Sequence, residues 1–330
     1  MNRRRTFSIV LGAAALLSCG NTGVADSVAR AKTTASFPKE WPVEPAHVPT
    51  AVASATSPPA STAAISSPPA GHVVGVPQRT AFAVVIGIDK YRDLPAALSA
   101  RADAEKFAGM LERTMGLPAA NVRLATDDHA TRTDIQQHLE WLKSSVPSGG
   151  RAYFFFSGHG SPNESDGSAY IVPYDASVTA VSATSIALSD ATAMLSASKA
   201  KDVIMIVDAC FSGGGGRSVL PKGARPLVRV READPTPNLA LFASATGAQI
   251  SGQSLDGTMG VFTKYVVEGI ATGQADGDGD GQLTLRELAD WVSPRVSREA
   301  KKSQRDQTPR LAVGKGLGDA QNLPIVWGIK

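Results

Sequence analysis

Four segments of this chain are apolar almost from end to end rather than alternately apolar and polar: Ala81–Ile88 (AFAVVIGI), Arg151–Ser157 (RAYFFFS), Val203–Val207 (VIMIV) and Leu239–Ser244 (LALFAS). A strand with one wet face alternates. A strand without alternation is buried on both faces, as in a parallel sheet covered by helices. Val122–Ala125 supplies a further short strand, and helical patterns fall between the strands. Ala104, Phe107 and Leu111 recur at helical spacing before a stop at Gly116. Thr133 is placed to cap a helix whose Ile135, Leu139, Leu142 and Val146 share one face, ended by Pro147 and the Gly149–Gly150 pair. Ser189–Ala200 reads as a helix capped by Ser189, followed later by Gly260–Thr272 and Thr284–Val296. Strands alternating with helices are βαβ units. The expected class is therefore α/β, with a mainly parallel sheet and helices on both faces. Ligands of such sheets bind beyond the carboxyl ends of the strands.

Two of the apolar strands run directly into reactive residues. Ser157-Gly158-His159-Gly160 follows one, and Asp208-Ala209-Cys210-Phe211-Ser212-Gly213 follows the other. If both strands are parallel, His159 and Cys210 emerge at the same edge. Cys210 is one of two cysteines, the other being Cys19. A free cysteine is often just a small buried core residue. As a nucleophile it needs its thiolate stabilised, and a nearby histidine does this and then protonates a leaving amine. Backbone N–H groups must also receive the oxyanion of an acyl intermediate. The amides of Gly160 and Cys210 are the candidates for that oxyanion hole.

These two motifs resemble those of caspase-like cysteine peptidases, above all metacaspases and their bacterial relatives. The 51 residues from His159 to Cys210 agree with the spacing in that family. The resemblance runs from Thr80 to Gln307-Thr308-Pro309 and takes in Asp103, Val172-Pro173-Tyr174-Asp175-Ala176 and Gly260-Val261-Phe262-Thr263. It implies a caspase-like three-layer sandwich and a cysteine endopeptidase, with Cys210 as nucleophile and His159 as general acid/base. Animal caspases carry Gln-Ala-Cys and bind aspartate at P1, whereas this chain carries Asp208-Ala209-Cys210. Asp208 in that position implies an acidic S1 pocket for Arg or Lys, since a carboxylate pairs with guanidinium or ammonium. Asp175 is a second candidate for the pocket, and Glu164 and Asp166 could add acid. Gly213–Asn238 corresponds to the loop joining the two halves in the family, and its Arg217, Lys222, Arg225, Arg229 and Arg231 are self-compatible cleavage sites. A solvated basic loop explains them equally well.

The N-terminus is a processing segment. A basic start precedes an apolar run from Phe7 to Leu17, and Leu16-Leu17-Ser18-Cys19 resembles the lipobox of bacterial lipoproteins. The resemblance implies a signal peptide over 1–19, lipidation of Cys19, and a lipid-anchored place in the bacterial cell envelope, at the outer membrane or facing the periplasm. Arg4-Arg5 also resembles a twin-arginine signal. Residues 20–79 are rich in Pro, Ala and Ser and read as a disordered tether. The caspase-like domain is expected over 80–315, with 316–330 as a C-terminal tail.

One further motif lies inside that domain. Asp276-Gly277-Asp278-Gly279-Asp280-Gly281 through Glu287 matches the EF-hand loop at positions 1, 3, 5, 6 and 12. Asp276, Asp278, Asp280, the Gln282 carbonyl and Glu287 are the expected calcium ligands. A tight turn with helix-capping acids would use the same residues. No organic cofactor is expected, because no P-loop motif is present. A net charge of +3 gives no ground for a nucleic-acid partner. The expected partners are protein or peptide substrates and, through Cys19, a membrane. The competing function is a catalytically silent envelope scaffold or a calcium-responsive binding protein on the same fold.

Overall fold

The computed structural model describes residues 75–162, 167–177, 179–211, 236–246, 249–318 and 323–328, all within the unit Ala64–Lys330. The signal segment with Cys19, residues 20–74 of the tether, Glu164, Asp166 and residues 212–235 of the basic loop lie outside them. Among the described residues no helix is long and apolar enough to cross a membrane. In chain order the elements are β1 (Ala81–Gly87), α1 (Ala100–Arg113), β2 (Val122–Thr126), α2 (Arg132–Ser145), β3 (Arg151–Ser157), β4 (Gly160–Pro162), β5 (Ala169–Ile171), α3 (Val181–Thr184), β6 (Ile186–Ala187), α4 (Leu188–Ser196), β7 (Asp202–Asp208), β8 (Leu239–Ala243), α5 (Val261–Thr272), β9 (Gln282–Thr284), α6 (Leu285–Lys302), β10 (Arg310–Val313) and β11 (Pro324–Trp327).

The main sheet has the order β10-β8-β7-β3-β1-β2. Every neighbour pair is parallel except β10 against β8. Side chains of successive strand residues point to opposite faces, so each apolar strand feeds two cores. On one face Val84, Ile86, Phe154, Phe156, Met205 and Val207 pack against α2 and α4 through Ile135, Leu139 and Leu195. On the other, Val85, Phe155, Ile206 and Phe242 meet α1, α5 and α6 through Phe107, Val266 and Val292. Helix, sheet, helix is the three-layer α/β arrangement that the uninterrupted apolar runs require.

Three helix boundaries differ from the sequence reading. Thr131, not Thr133, caps α2, because Asp134 lies three residues on and closes a capping box with it. Helix α4 starts at Leu188 with no side-chain cap, so Ser189 lies inside the first turn. Helix α6 continues through Pro294 to Lys302. Proline there removes one backbone bond, but Val292, Val296 and Ala300 stay buried on either side of it and hold the helix to the sheet. The short strands β4, β5 and β6 form a separate small sheet. Residues 324–327, assigned to the tail by sequence, pair with β9 and bury Ile325 and Val326. Residues 75 and 76, read by sequence as the end of the tether, are bound as well: Gly75 N–H donates to Thr114 O at 2.7 Å and Val76 N–H to Trp327 O at 2.9 Å.

Candidate active site

The parallel register of β3 and β7 builds the site. Arg151 pairs with Asp202, and the pairing holds residue by residue to Ser157 opposite Asp208. His159 and Cys210 each lie two residues beyond that last pair, so both reach the carboxyl edge of the sheet at one level. Gly158 N–H donates to Asp208 O at 3.3 Å, which keeps the two exits together. A Cβ on Gly160 would come within 2.7 Å of the Cys210 carbonyl oxygen and 2.8 Å of the Phe211 ring. Glycine at 160 is thus what lets the two loops touch.

His159 is fully buried and held on several sides. Its backbone N–H donates to Tyr91 Oη at 2.7 Å, and the Tyr91 ring lies against the imidazole with centroids 4.6 Å apart. Its Nε2 lies 2.7 Å from Pro95 O. A carbonyl can only accept, so Nε2 carries the proton in the neutral ring and Nδ1 carries the lone pair.

Cys210 is fully buried as well. Its Sγ receives Ser251 N–H at 2.8 Å and donates to Ser251 O at 3.2 Å. Asp208 is fully buried beneath it. One carboxylate oxygen accepts from Ser251 Oγ at 2.5 Å, and the other from Thr263 Oγ1 at 2.8 Å and Thr263 N at 3.3 Å. Sequence reasoning gave no role to a second buried carboxylate, Asp103. It accepts from Ser157 Oγ at 2.7 Å and from Gly260 N at 2.7 Å. Gly260 is the N-cap of α5 and Thr263 is its third helical residue. Both acids therefore sit at the unsatisfied N–H groups of a helix start, which offset the cost of burying negative charge. The quoted stretches around Asp103 and Gly260–Thr263 held that information, but nothing in the sequence says that they meet.

Gln307 is the other residue whose role was not read. It is buried, donates through Nε2 to Ser251 Oγ at 3.2 Å and to Ser244 O at 3.1 Å, and accepts Gly252 N–H at 3.2 Å. Asp175 is placed elsewhere than the Asp208 cluster. Its carboxylate accepts from Arg132 N at 2.8 Å, at the first residue of α2, and its carbonyl accepts from Arg92 Nη2 at 2.9 Å.

The acidic loop joins α5 to β9. Ligand oxygens of Asp276, Asp278 and Glu287 lie within 4.8 Å of one another. Asp280 stands apart from this group and accepts from the Gln282 backbone N–H at 2.7 Å. Gly281 has φ +82°, as the sixth position of such a loop needs, and its N–H donates to Asp276 at 3.1 Å. Glu287 also closes a capping box with Thr284 at the start of α6. Burial alone would raise its carboxyl, but hydrogen bonds from Thr284 and the loop amides outweigh this and hold it below the ordinary carboxylate range.

The family model of the caspase domain matches residues 80–314. The chain belongs to the caspase-domain family, a family of cysteine peptidases. Among solved structures, a protein of Geobacter sulfurreducens is 18% identical, with 71% of this chain and 93% of that one covered at a TM-score of 0.48. Caspase-1 of Spodoptera frugiperda is 12% identical, with 72% and 89% covered at a TM-score of 0.47. A search of curated proteins returns no significant match.

Proposed function

We propose that this protein is a cysteine endopeptidase that cleaves polypeptides after Arg or Lys. One observation carries the reading: the unbroken β3–β7 register that brings His159 and Cys210 to one edge, beside the fully buried carboxylates of Asp208, opposite Ser157 in the register, and Asp103, bound to the Ser157 hydroxyl. The Cys210 thiol gives its proton to His159 Nδ1, and the thiolate attacks the scissile carbonyl carbon. The amides of Gly160 and Cys210 receive the oxyanion. The imidazolium, held by Pro95 O, then protonates the leaving amine, and a thioester remains on Cys210. Water attacks this thioester with His159 as base, which releases the acid product and restores the thiol. An Arg or Lys side chain at P1 would meet the negative charge of Asp208, with Asp103 adding to the field. Asp175 serves helix α2 in this reading rather than the pocket.

The test is hydrolysis of peptides that differ only at P1, by wild type and Cys210→Ala, under reducing conditions with and without calcium. Cleavage after Arg and Lys that is lost in Cys210→Ala is expected. No cleavage above Cys210→Ala in any condition would refute the peptidase reading. Cleavage after Asp alone would refute only the pocket.

Calcium binding at the acidic loop belongs to the same proposal. The three clustered carboxylates, the turn at Gly281 and the ionised state of Glu287 fit a hard cation. Asp276, Asp278 and Glu287 would hold the ion, with the Gln282 carbonyl and water among its remaining ligands, and the ion would tie the start of α6 to the end of α5. Titration calorimetry with wild type and Asp276→Ala tests it, and no heat at millimolar calcium rejects it. A lipid anchor at Cys19 rests on the lipobox resemblance alone. Its test is incorporation of labelled palmitate that is abolished by Cys19→Ala.

A further inference from the structure

The reaction centre described above is closed. Cys210, His159, Asp208 and Asp103 are all at 0% exposure, so no substrate can touch them in this form. Ser251 lies on both Cys210 and Asp208. Ser251 spends its backbone N–H and carbonyl on the Cys210 thiol and its hydroxyl on the Asp208 carboxylate. Those are the two groups that the carbonyl and side chain of a P1 residue would have to reach.

We propose that residues 249–260 form an internal plug, with Ser251 seated where P1 binds, and that the protein rests in a latent form until this plug lifts. The proposal rests on Cys210 being the reacting thiol and describes the regulation of that same site. The anchors of the plug support it. Gln307 holds Ser251 Oγ and Gly252 N, Arg305 Nη2 donates to Gln253 O at 2.9 Å, and Glu299 accepts Leu255 N–H at 2.8 Å. These three anchors come from the last turn of α6 and the loop after it, and Ser99 at the start of α1 adds a fourth, donating to Gly257 O at 3.1 Å and accepting from Gln253 Nε2 at 2.6 Å. All are polar contacts from side chains to the plug, mostly to its backbone. From 249 to 259 the segment has no fully buried apolar side chain: Ile250 and Met259 are half-buried outside the two cores, and Leu255 is 58% exposed. Lifting it therefore exchanges hydrogen bonds for water and opens no core, which is the kind of segment that opens locally. Gly260, where the segment ends, is fixed by Asp103 and provides the hinge side of the plug.

The experiment reads the accessibility of Cys210 rather than turnover. The full chain is treated with iodoacetamide under native conditions, and the alkylation rate at Cys210 is followed by peptide mass spectrometry in wild type and Gln307→Ala. Loss of two ordinary hydrogen bonds to the plug is expected to speed alkylation about tenfold. In wild type the rate is measured again across low urea, where a local opening that bares little surface leaves it almost unchanged. This second measurement does not depend on the variant folding. A rate in Gln307→Ala within twofold of wild type, or a wild-type rate that follows global unfolding at every urea concentration, overturns the proposal. The readout needs no catalysis, so failure of the peptidase reading leaves both outcomes of this test intact.

Discussion

Replacing Asp208 should damage the fold before it changes any specificity, and the size of the damage follows from its partners. The carboxylate is fully buried and receives Ser251 Oγ, Thr263 Oγ1 and Thr263 N–H. Asp208→Ala strands all three donors in the interior. A stranded buried donor costs about 1–3 kcal/mol, and hydroxyls that rotate towards other acceptors sit at the low end, so the sum is about 4 kcal/mol. In a domain of this size each kcal/mol lowers Tm by roughly 2–4 °C, which puts the fall at about 8–16 °C. Asp208→Asn keeps the shape and one acceptor oxygen facing Thr263. Its amide can donate to Ser251 Oγ, so the cost falls to about 1 kcal/mol. Urea denaturation and thermal melts of the three proteins measure both values. An alanine variant within 1 kcal/mol of wild type, or an asparagine variant as unstable as alanine, would refute the claim that this carboxylate organises the start of α5 and the Ser251 plug. Because Asn preserves the fold, it is also the variant in which loss of preference for Arg and Lys at P1 should be read.

Three other outcomes follow from named contacts. Thr131→Ala removes the side-chain acceptor for Asp134 N–H at the start of α2 and should cost about 1 kcal/mol in urea denaturation, with no change in peptide cleavage. Phe155→Ala empties a fully buried position whose ring stacks on Phe107 with centroids 4.3 Å apart; a loss of about 3–5 kcal/mol is expected by the same measurement. The Glu287 carboxyl lies below its ordinary value in the fold, so its stabilisation is complete above the unfolded value and is lost as pH falls through the folded one. Thermal melts without calcium should therefore show Tm falling as pH drops below the ordinary glutamate value of about 4.3, and falling less steeply in Glu287→Gln.

Much of the fold was legible because it rests on local pattern. Both strands that lead to His159 and Cys210 are apolar between their end residues, and β3 appears with the limits the sequence implies. The capping positions were less legible. Thr131 and Thr133 are equally good candidates by type, and only Asp134 closing the box decides between them. The short strands β4, β6, β9 and β11 have too few residues to show a period, and each exists because a distant partner pairs with it. In the acidic loop the spacing identified Asp276, Asp278 and Glu287 as a group. It also included Asp280, whose carboxylate lies outside that group of three and accepts the Gln282 backbone N–H.

By itself the sequence determined the α/β class and the sheet edge at which His159 and Cys210 emerge. Apolar runs, helical spacing and strand-end motifs are properties of contiguous residues, and these conclusions need nothing more. Tertiary structure alone decided what surrounds them. Ser251 and Thr263 meet at Asp208, Gln307 reaches Ser251, and Asp103 reaches Ser157 and Gly260, only because the sheet and α5 bring those separate stretches to one place. Asp175, adjacent to the small sheet in sequence, was drawn to α2 by an unsatisfied helix amide. Sequence spacing carries no record of such encounters, since the energy of a buried hydrogen bond depends on where its partner ends up, not on how far along the chain it began.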